Sequence, residues 1–557
     1  MIIGLDMGGT HVDAVLIDHG KIIKTSKIPT EPNNLLESVW KTLKPLITGV
    51  KPDEIERVIL STTICTNAIV EEKTAHVGMI IESGPGLPCD FLACGQENIF
   101  TEGYIDHRGR EVSPINSAEI NRASNAFKNK NISACAVVGK FSVRNPDHEI
   151  KIYDMLKNDF SPVTLGHTVS GKLNFPRRVF TSYFNSAVYS TFSRFSNSIV
   201  YALKREKINA KLYVLKADGG TMGLESAEKF PVNTILSGPA ASIMGGQAFF
   251  NTSKDGVFLD IGGTTTDIAF LADGVPLFEP LGIKIGEYPT LVRALYSVSM
   301  GLGGDSEVRV ENGVLHIGPY RKGSPMALGG PCPTPTDAMI AQGLLDIGSK
   351  EKAVDAMKDI AGPLDLNIQE AASLVLQTMA NMIKEKVDKL LFEINSHPVY
   401  TVKELLYGKK INPEFVQVIG GPAKILAPIL EKSFKIPCFY PKFYEAANAV
   451  GAALAKTTAE ITVFVDTAQG TLLVPEIGLY KKIERNYTLE DAKLLAVELL
   501  SKQLSILGAE AGEIQPEIVE ENVFNIVRGF YTSGKNMRIR VQTKPGLLYE
   551  MWGDKDA

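Results

Sequence analysis

Gly4-Leu5-Asp6-Met7-Gly8-Gly9-Thr10-His11-Val12-Asp13 returns far along the chain as Phe258-Leu259-Asp260-Ile261-Gly262-Gly263-Thr264-Thr265-Thr266-Asp267. Aligning the two pairs Asp6 with Asp260, Gly8 and Gly9 with Gly262 and Gly263, Thr10 with Thr264, and Asp13 with Asp267. Each copy leaves an apolar strand, turns through glycines and re-enters an apolar strand, at 14–17 in the first and 268–271 in the second. The pattern predicts a β-hairpin whose tight turn points backbone N–H groups and a hydroxyl outward, which suits phosphate oxygens. The aspartate closing the first strand is placed to reach a hydrated Mg²⁺. A single Gly-Gly-Thr is ordinary turn chemistry. Two copies of Asp-x-Gly-Gly-Thr-x-x-Asp in the same strand–turn–strand setting imply two similar half-domains facing each other across a nucleotide.

Bulk properties narrow the classes. A chain of 557 residues accommodates three to four domains, each with an ample core. With 44% apolar residues, 22% charged residues and a net charge of −5, nothing suggests nucleic-acid or membrane-surface binding. Asp6 interrupts the N-terminal apolar run and no basic segment precedes it, which argues against a signal peptide. No stretch is apolar enough to span a bilayer. Six scattered cysteines without Cys-x-x-Cys spacing support neither a zinc site nor a disulfide framework. They read as reduced, buried thiols of a cytoplasmic protein.

Strand and helix signals alternate after the first hairpin: a helix over 35–47, strands over 57–60 and 76–81, and an apolar run over 134–138. Residues 83–117, rich in Gly, Pro and charge, read as a surface excursion. A long helix over 184–205 leads to a strand at 212–215 and the turn Asp218-Gly219-Gly220, then to the small-residue segment Ser237-Gly238-Pro239-Ala240-Ala241-Ser242. The amphipathic helix over 369–394 carries a broad apolar stripe that belongs to a core rather than a cofactor site. Residues 415–422 read as strand, Gly420-Gly421 turn and helix, a turn that lets backbone approach adenine or ribose. In the small-residue helix over 448–455, Gly451 permits close packing, and beyond Lys456 the pattern changes to a compact α/β tail.

Together these segments resemble the hydantoinase/oxoprolinase family, of the ATP-dependent hydantoinase A type, whose ATPase core belongs to the actin, sugar-kinase and Hsp70 superfamily. The resemblance spans about 1–456 and rests on both hairpins, Ser61-Thr62-Thr63-Ile64-Cys65-Thr66-Asn67-Ala68, Asp218-Gly219-Gly220 continuing to Ser237-Gly238-Pro239-Ala240-Ala241, and Gly420-Gly421-Pro422. It implies an α/β fold of duplicated actin-like (ribonuclease H-like) ATPase lobes with a small C-terminal α/β domain, divided as 1–175, 176–456 and 457–557. Departures from the family pattern are Leu60-Ser61 where His-Gly is usual, Asp305 for a glycine in 300–306, and the altered stretch 326–333 before the retained Pro335-Thr336-Asp337-Ala338.

The resemblance further implies an ATP-dependent hydrolase subunit acting on a cyclic amide such as a hydantoin or a 5-oxoproline-like lactam. An unstrained amide is a poor electrophile. Attack of its carbonyl oxygen on the γ-phosphate yields a phosphorylated imidate whose ring carbon is open to water, and needs little help from a general base. In that scheme Gly8, Gly9, Thr10, Gly262, Gly263, Thr264 and Thr265 hold phosphates and Gly420 and Gly421 the nucleoside. Asp6 and Asp260 hold Mg²⁺ through waters, and the catalytic set is Asp6, Asp260 and Asp267. Asp13 and Asp267 either orient a water or brace their hairpins. His11 and His316 lie near motif turns, where a structural hydrogen-bonding role is the commoner one. Asp305, in a glycine-rich segment, is a candidate for substrate or metal contact, and Asp337 for a helix cap. No cysteine is expected to be a nucleophile. A second, separately encoded hydrolase subunit and an oligomeric assembly are the expected partners. Competing readings are a small-molecule kinase or carboxylase subunit of the same fold, and an ATPase that drives conformational change or activation of a partner protein.

Overall fold

The computed structural model describes residues 1–8, 11–31, 35–87, 89–250, 252–279, 281–396, 410–549 and Met551. Gly9 and Thr10 lie outside the described residues.

The first hairpin pairs Ile2–Met7, buried along its whole length, antiparallel with His11–Asp18 and parallel with Arg57–Thr62. The second repeats the arrangement: Gly256–Ile261 pairs antiparallel with Thr266–Ala272 and parallel with Phe415–Ile419. These two six-stranded sheets are the cores of duplicated lobes. A four-stranded parallel sheet built on Val77–Glu82 and Ala134–Gly139 extends the first lobe. The fold is α/β, with the duplicated actin-like lobes expected and a C-terminal α/β domain.

Small residues let the lobes meet. Helices Ser237–Phe249 and Ala447–Leu454 cross so closely that a Cβ on Gly451 would lie 2.1 Å from the Ala241 carbonyl oxygen, and one on Gly245 would lie 2.1 Å from that of Ala447. Gly4 meets the second helix in the same way, with a Cβ position 2.1 Å from the Ala449 oxygen. Backbone therefore packs on backbone, and no larger residue fits without moving a helix.

The long helix Phe175–Arg205 starts at Asn174, whose side chain accepts from the Arg177 N–H, and buries Phe184, Val188, Phe192, Phe195 and Ile199 against the first lobe. It leads to Lys211–Leu215, which runs parallel to Arg57–Thr62. The first sheet therefore continues past residue 175, to the edge strand Thr221–Gly223, because two parallel strands require a crossover and this helix belongs to it. The 83–117 stretch also differs from a pure surface excursion. Glu97–Phe100 joins Val77–Glu82 as a parallel strand, and its half-buried residues give no apolar run to read.

In the C-terminal domain, an antiparallel sheet ordered 479–482, 471–474, 460–466, 531–543, 516–528 packs its core face on Leu489–Ile506. That helix opens with a capping box between Thr488 and Asp491. Arg57 ties the domain to the first lobe, with Nη2 2.5 Å from Glu513 Oε1 and 2.7 Å from Glu510 Oε1.

Candidate functional site

Both hairpin turns close by the same hydrogen bond. Gly8 N–H donates to the His11 carbonyl at 3.0 Å, and Gly262 N–H donates to that of Thr265 at 2.9 Å. Antiparallel register sets Asp6 opposite Asp13 and Asp260 opposite Asp267. The end of a buried strand thus delivers a carboxylate to each turn.

Asp6 is only 7% exposed, and its Oδ1 is buried without a hydrogen-bond partner. Burial pushes its carboxyl up to about 7; Ser61 and Asn448 beside it oppose that rise, while the Asp13 and Asp260 charges add to it. Asp260 Oδ2 accepts from the Ser242 hydroxyl at 2.6 Å and from the Asn448 amide at 3.2 Å. Asn448, on the central helix, therefore lies between the aspartates of the two hairpins.

The partners of the second aspartate pair differ. Burial raises Asp13, but Lys27, its neighbour on the next strand at 2.7 Å, opposes the rise. Asp267 is pushed up to about 6 by burial and then by the Asp260 charge, with Ser299 opposing.

No three His, Cys, Asp or Glu side chains among the described residues are gathered for direct metal coordination. The donor set fits a hydrated cation instead: a buried carboxylate oxygen with no partner, destabilised by neighbouring carboxylates, is the environment that a divalent ion and its waters relieve.

Gly420 has φ +90°, and a Cβ there would lie 2.3 Å from the Ile261 oxygen and 2.7 Å from Asp260 Oδ1. Only glycine admits this turn so near Asp260. A Cβ on Gly421 would meet nothing within 4 Å, so that side of the turn faces open space. Gly263 and Thr264 are exposed, and Thr265 is half-buried.

The 300–306 segment supports the second turn through its backbone, Gly304 N–H donating to Gly262 O at 2.9 Å and Asp305 N–H to Gly263 O at 2.7 Å. The Asp305 carboxylate lies against Gly263 and pairs with Arg321 at 2.9 Å. Burial pushes its carboxyl up and the Arg321 charge opposes this. Asp337 is fully buried and accepts from the Met326, Ala327 and Thr334 N–H groups and the Thr334 hydroxyl. The N-cap is Thr334, and Asp337 is the third residue of the helix, reaching back in a capping box. His11 begins the return strand of the first hairpin, where burial and then Lys27 lower its pKa. His316 lies opposite Arg309 in a separate short hairpin. Burial pushes the Cys65, Cys94, Cys135 and Cys438 thiols up to about 12, which leaves them poor nucleophiles.

Reading the sequence missed Asn448, Ser242 and Arg321. Asn448 acts on a residue 188 positions away, while Ser242 and Arg321 act through side-chain contacts that the segments around them do not spell out. Among the described residues no helix is long and apolar enough to cross a membrane.

Comparison with known proteins agrees with this architecture. Residues 178–461 match the hydantoinase/oxoprolinase family, and residues 2–160 match that family's N-terminal region. The chain is 26% identical over 430 residues to caprolactamase subunit alpha of Pseudomonas jessenii, covering 68% of this chain and 61% of the relative. It is 25% identical over 456 residues to the acetophenone carboxylase gamma subunit of Aromatoleum aromaticum, covering 69% and 61%. The chain thus spans 61% of the length of each of these relatives. Nucleotide-free acetone carboxylase has a similar fold, with TM-score 0.73 at 15% identity, covering 100% of this chain and 89% of that one. So does the ATP-dependent caprolactamase from Pseudomonas jessenii, with TM-score 0.69 at 19% identity, covering 97% and 87%. With its N-terminal region and most of the remaining chain matched, the protein belongs to the hydantoinase/oxoprolinase family.

Proposed function

We propose that this chain is the ATP-using subunit of an enzyme that activates the carbonyl of a cyclic amide, a hydantoin or a 5-oxoproline-like lactam, for hydrolysis. One observation carries the reading. Asp6 and Asp260, one from each hairpin, lie beside the same Asn448 amide, so the carboxylates at the ends of the two first strands converge on one point. A triphosphate held there is gripped from two sides.

In this reading Gly8, Gly262, Gly263, Thr264 and Thr265, with Gly9 and Thr10, bind phosphate oxygens. Gly420 and Gly421 accept the nucleoside against their open face. Asp6 and Asp260 hold the waters of Mg²⁺, which neutralises phosphate charge when bound. Asp267, half-buried and without a cationic partner among the described residues, accepts a proton from water. Phosphorylation by ATP makes the ring carbon electrophilic: water adds to it, the ring C–N bond breaks with the proton passing to nitrogen, and the acyl phosphate left behind is hydrolysed to carboxylate and phosphate. The relatives at 26% and 25% identity are both named as subunits, which supports a second subunit that completes hydrolysis. Free thiols fit a cytoplasmic setting.

The test is ADP release by the purified chain with Mg²⁺ and ATP, alone and with hydantoins, 5-oxoproline, other lactams and simple ketones. Stimulation by a cyclic amide, lost in Asp6→Asn and in Asp260→Asn, supports the reading. Ketones are included because the acetophenone carboxylase subunit is about as similar to this chain as the caprolactamase subunit. Stimulation by ketones alone identifies a carboxylase-type subunit. Slow ATP turnover indifferent to every compound would sink substrate activation by the isolated chain and favour an ATPase acting on a partner protein.

A further inference from the structure

Away from the hairpins, charged groups converge on a cavity of about 150 Å³ where both lobes and the C-terminal domain meet. Lys172, Lys216, Arg293, Asp218, Glu460 and Glu476 line it. Lys216 Nζ lies 3.2 Å from Asp218 Oδ2 and donates to the Thr458 carbonyl at 3.0 Å. Arg293 stands 4.0 Å from the same Asp218 oxygen, and Lys172 stands 3.9 Å from Glu460. These cations are loosely paired and retain donors for a guest.

Glu476 is the unusual member. Its Oε2 is buried and has no hydrogen-bond partner. Its Oε1 lies where a Cβ on Gly171 would come within 2.4 Å, so a glycine is needed for the carboxyl to sit there. Burial pushes this carboxyl up to about 7 and holds Lys216 and Lys172 below the usual lysine range. Glu476 thus lines the cavity with one carboxyl oxygen buried behind it and unpartnered, while the Thr462 N–H and hydroxyl oppose the rise of its carboxyl.

Position adds a second argument. Lys211–Leu215 runs parallel to Arg57–Thr62, which runs parallel to Ile2–Met7. Asp218, just beyond the first strand, and Asp6, at the end of the third, share the carboxyl edge of one sheet, two strand spacings or about 10 Å apart across it. Ligands of open α/β sheets bind beyond that edge.

The cavity is smaller than the roughly 300–1,000 Å³ of drug-sized sites and suits a single small ring. Cations and carboxyl groups are equal in number on its wall, so a charged guest gains little, whereas a neutral group offering both a donor and an acceptor completes the set. We propose that this cavity binds a neutral cyclic amide or imide, the ring N–H donating to Glu476 and the carbonyl accepting from Lys216 or Arg293. The assignment rests on the cyclic-amide reading above and gives that substrate a place.

A ligand-observed NMR titration with hydantoin and with 2-pyrrolidone tests it on wild type, Glu476→Gln and Ser170→Leu. Ser170→Leu fills the cavity without removing a charge, and circular dichroism confirms that each variant is folded. Binding to wild type that weakens at least tenfold in both variants is the expected result, and Ser170→Leu alone decides if Glu476→Gln does not fold. Equal binding by all folded proteins, or no binding by wild type, overturns the site. The functional reading fails separately. Amides that bind but never raise ADP release refute that reading and leave the cavity assigned, whereas amide-stimulated ADP release with an unchanged amide KM in both variants leaves the function standing and removes the cavity from it.

Discussion

Asp13 and Asp267 occupy equivalent places in the two hairpins, yet Lys27 pairs with Asp13 at 2.7 Å while Asp267 has only Ser299 opposite it on the adjoining strand. The difference arises in the third strand added to each hairpin. Lys21–Pro29 brings a lysine into register with Asp13, and Ser297–Met300 brings a serine into register with Asp267. Under the proposed function, Asp13 braces its hairpin through Lys27 and Asp267 is the member of the pair that meets water. Asp267→Asn is expected to lower amide-driven turnover by about 10²-fold or more, the usual worth of a positioned proton acceptor. Asp13→Asn is expected to stay within about tenfold of wild type, with a lower unfolding midpoint. ADP release at saturating ATP, compared with urea melts, separates the two.

Gly451→Val tests the helix crossing. Its Cβ would meet the Ala241 carbonyl oxygen at 2.1 Å, a backbone atom that cannot rotate away. Overpacking of this kind costs about 1–3 kcal/mol. Asn448 lies one turn earlier on the same helix and Ser242 lies on the facing one, so separating the helices also draws their bonds off Asp260. The expected outcome is a lower urea midpoint together with slower ATP turnover. A destabilised variant with wild-type turnover would show that the crossing does not position the site.

The parallel sheet of the first lobe carries its own pH dependence. Burial opposes the Glu149 charge, but His167, 2.5 Å away, and backbone N–H groups of Gly139 and His167 hold its pKa below the ordinary 4.5. A lowered carboxyl pKa gives stability that is present above pH 4.5 and lost as pH falls through the folded value. Burial also opposes charge on His148, yet Glu82 at 2.9 Å and then Glu111 raise it above 6.5. A raised histidine pKa gives stability that is full below pH 6.5 and lost as pH rises through the folded value. Between pH 4.5 and 6.5 this pair stabilises most. The raised carboxyls of Asp6, Asp267 and Glu476 lose stability as pH rises through the same range, so the pair is read from the difference between wild-type and variant urea midpoints. Glu149→Gln should flatten the acid side and His148→Gln the alkaline side.

The duplicated hairpins were legible because a buried strand reads as a continuous apolar run and its turn as glycines, both local signals. The 35–47 and 369–394 helices were legible for the same reason, and appear as Leu35–Ile47 and Ile368–Asn395. Membership of a sheet was not. Lys211–Leu215 looks like any buried strand, and only its long-range partner Arg57–Thr62 places it in the first lobe. Glu97–Phe100 escaped because each of its residues is half-buried. Asn448 escaped for a further reason: it sits 188 residues from Asp260, in a helix whose small residues report packing rather than chemistry.

That asparagine gives the sharpest test of the two-sided site. Its amide donates to Asp260 at 3.2 Å and opposes the rise that burial gives the Asp6 carboxyl, so one side chain acts on both carboxylates. Asn448→Ala removes a donor to a charged group, worth about 1.5–3 kcal/mol, or roughly tenfold to a hundredfold in turnover. Asn448→Asp preserves shape but exchanges the donor for a third negative charge. If the amide acts as a donor, the aspartate variant is expected to lose at least as much as alanine, and its Mg²⁺ dependence of ADP release should shift to a different concentration range. If position 448 only fills space, aspartate should retain wild-type turnover and alanine should fall. An alanine variant within twofold of wild type would remove Asn448 from the site and with it the direct link between the two hairpins.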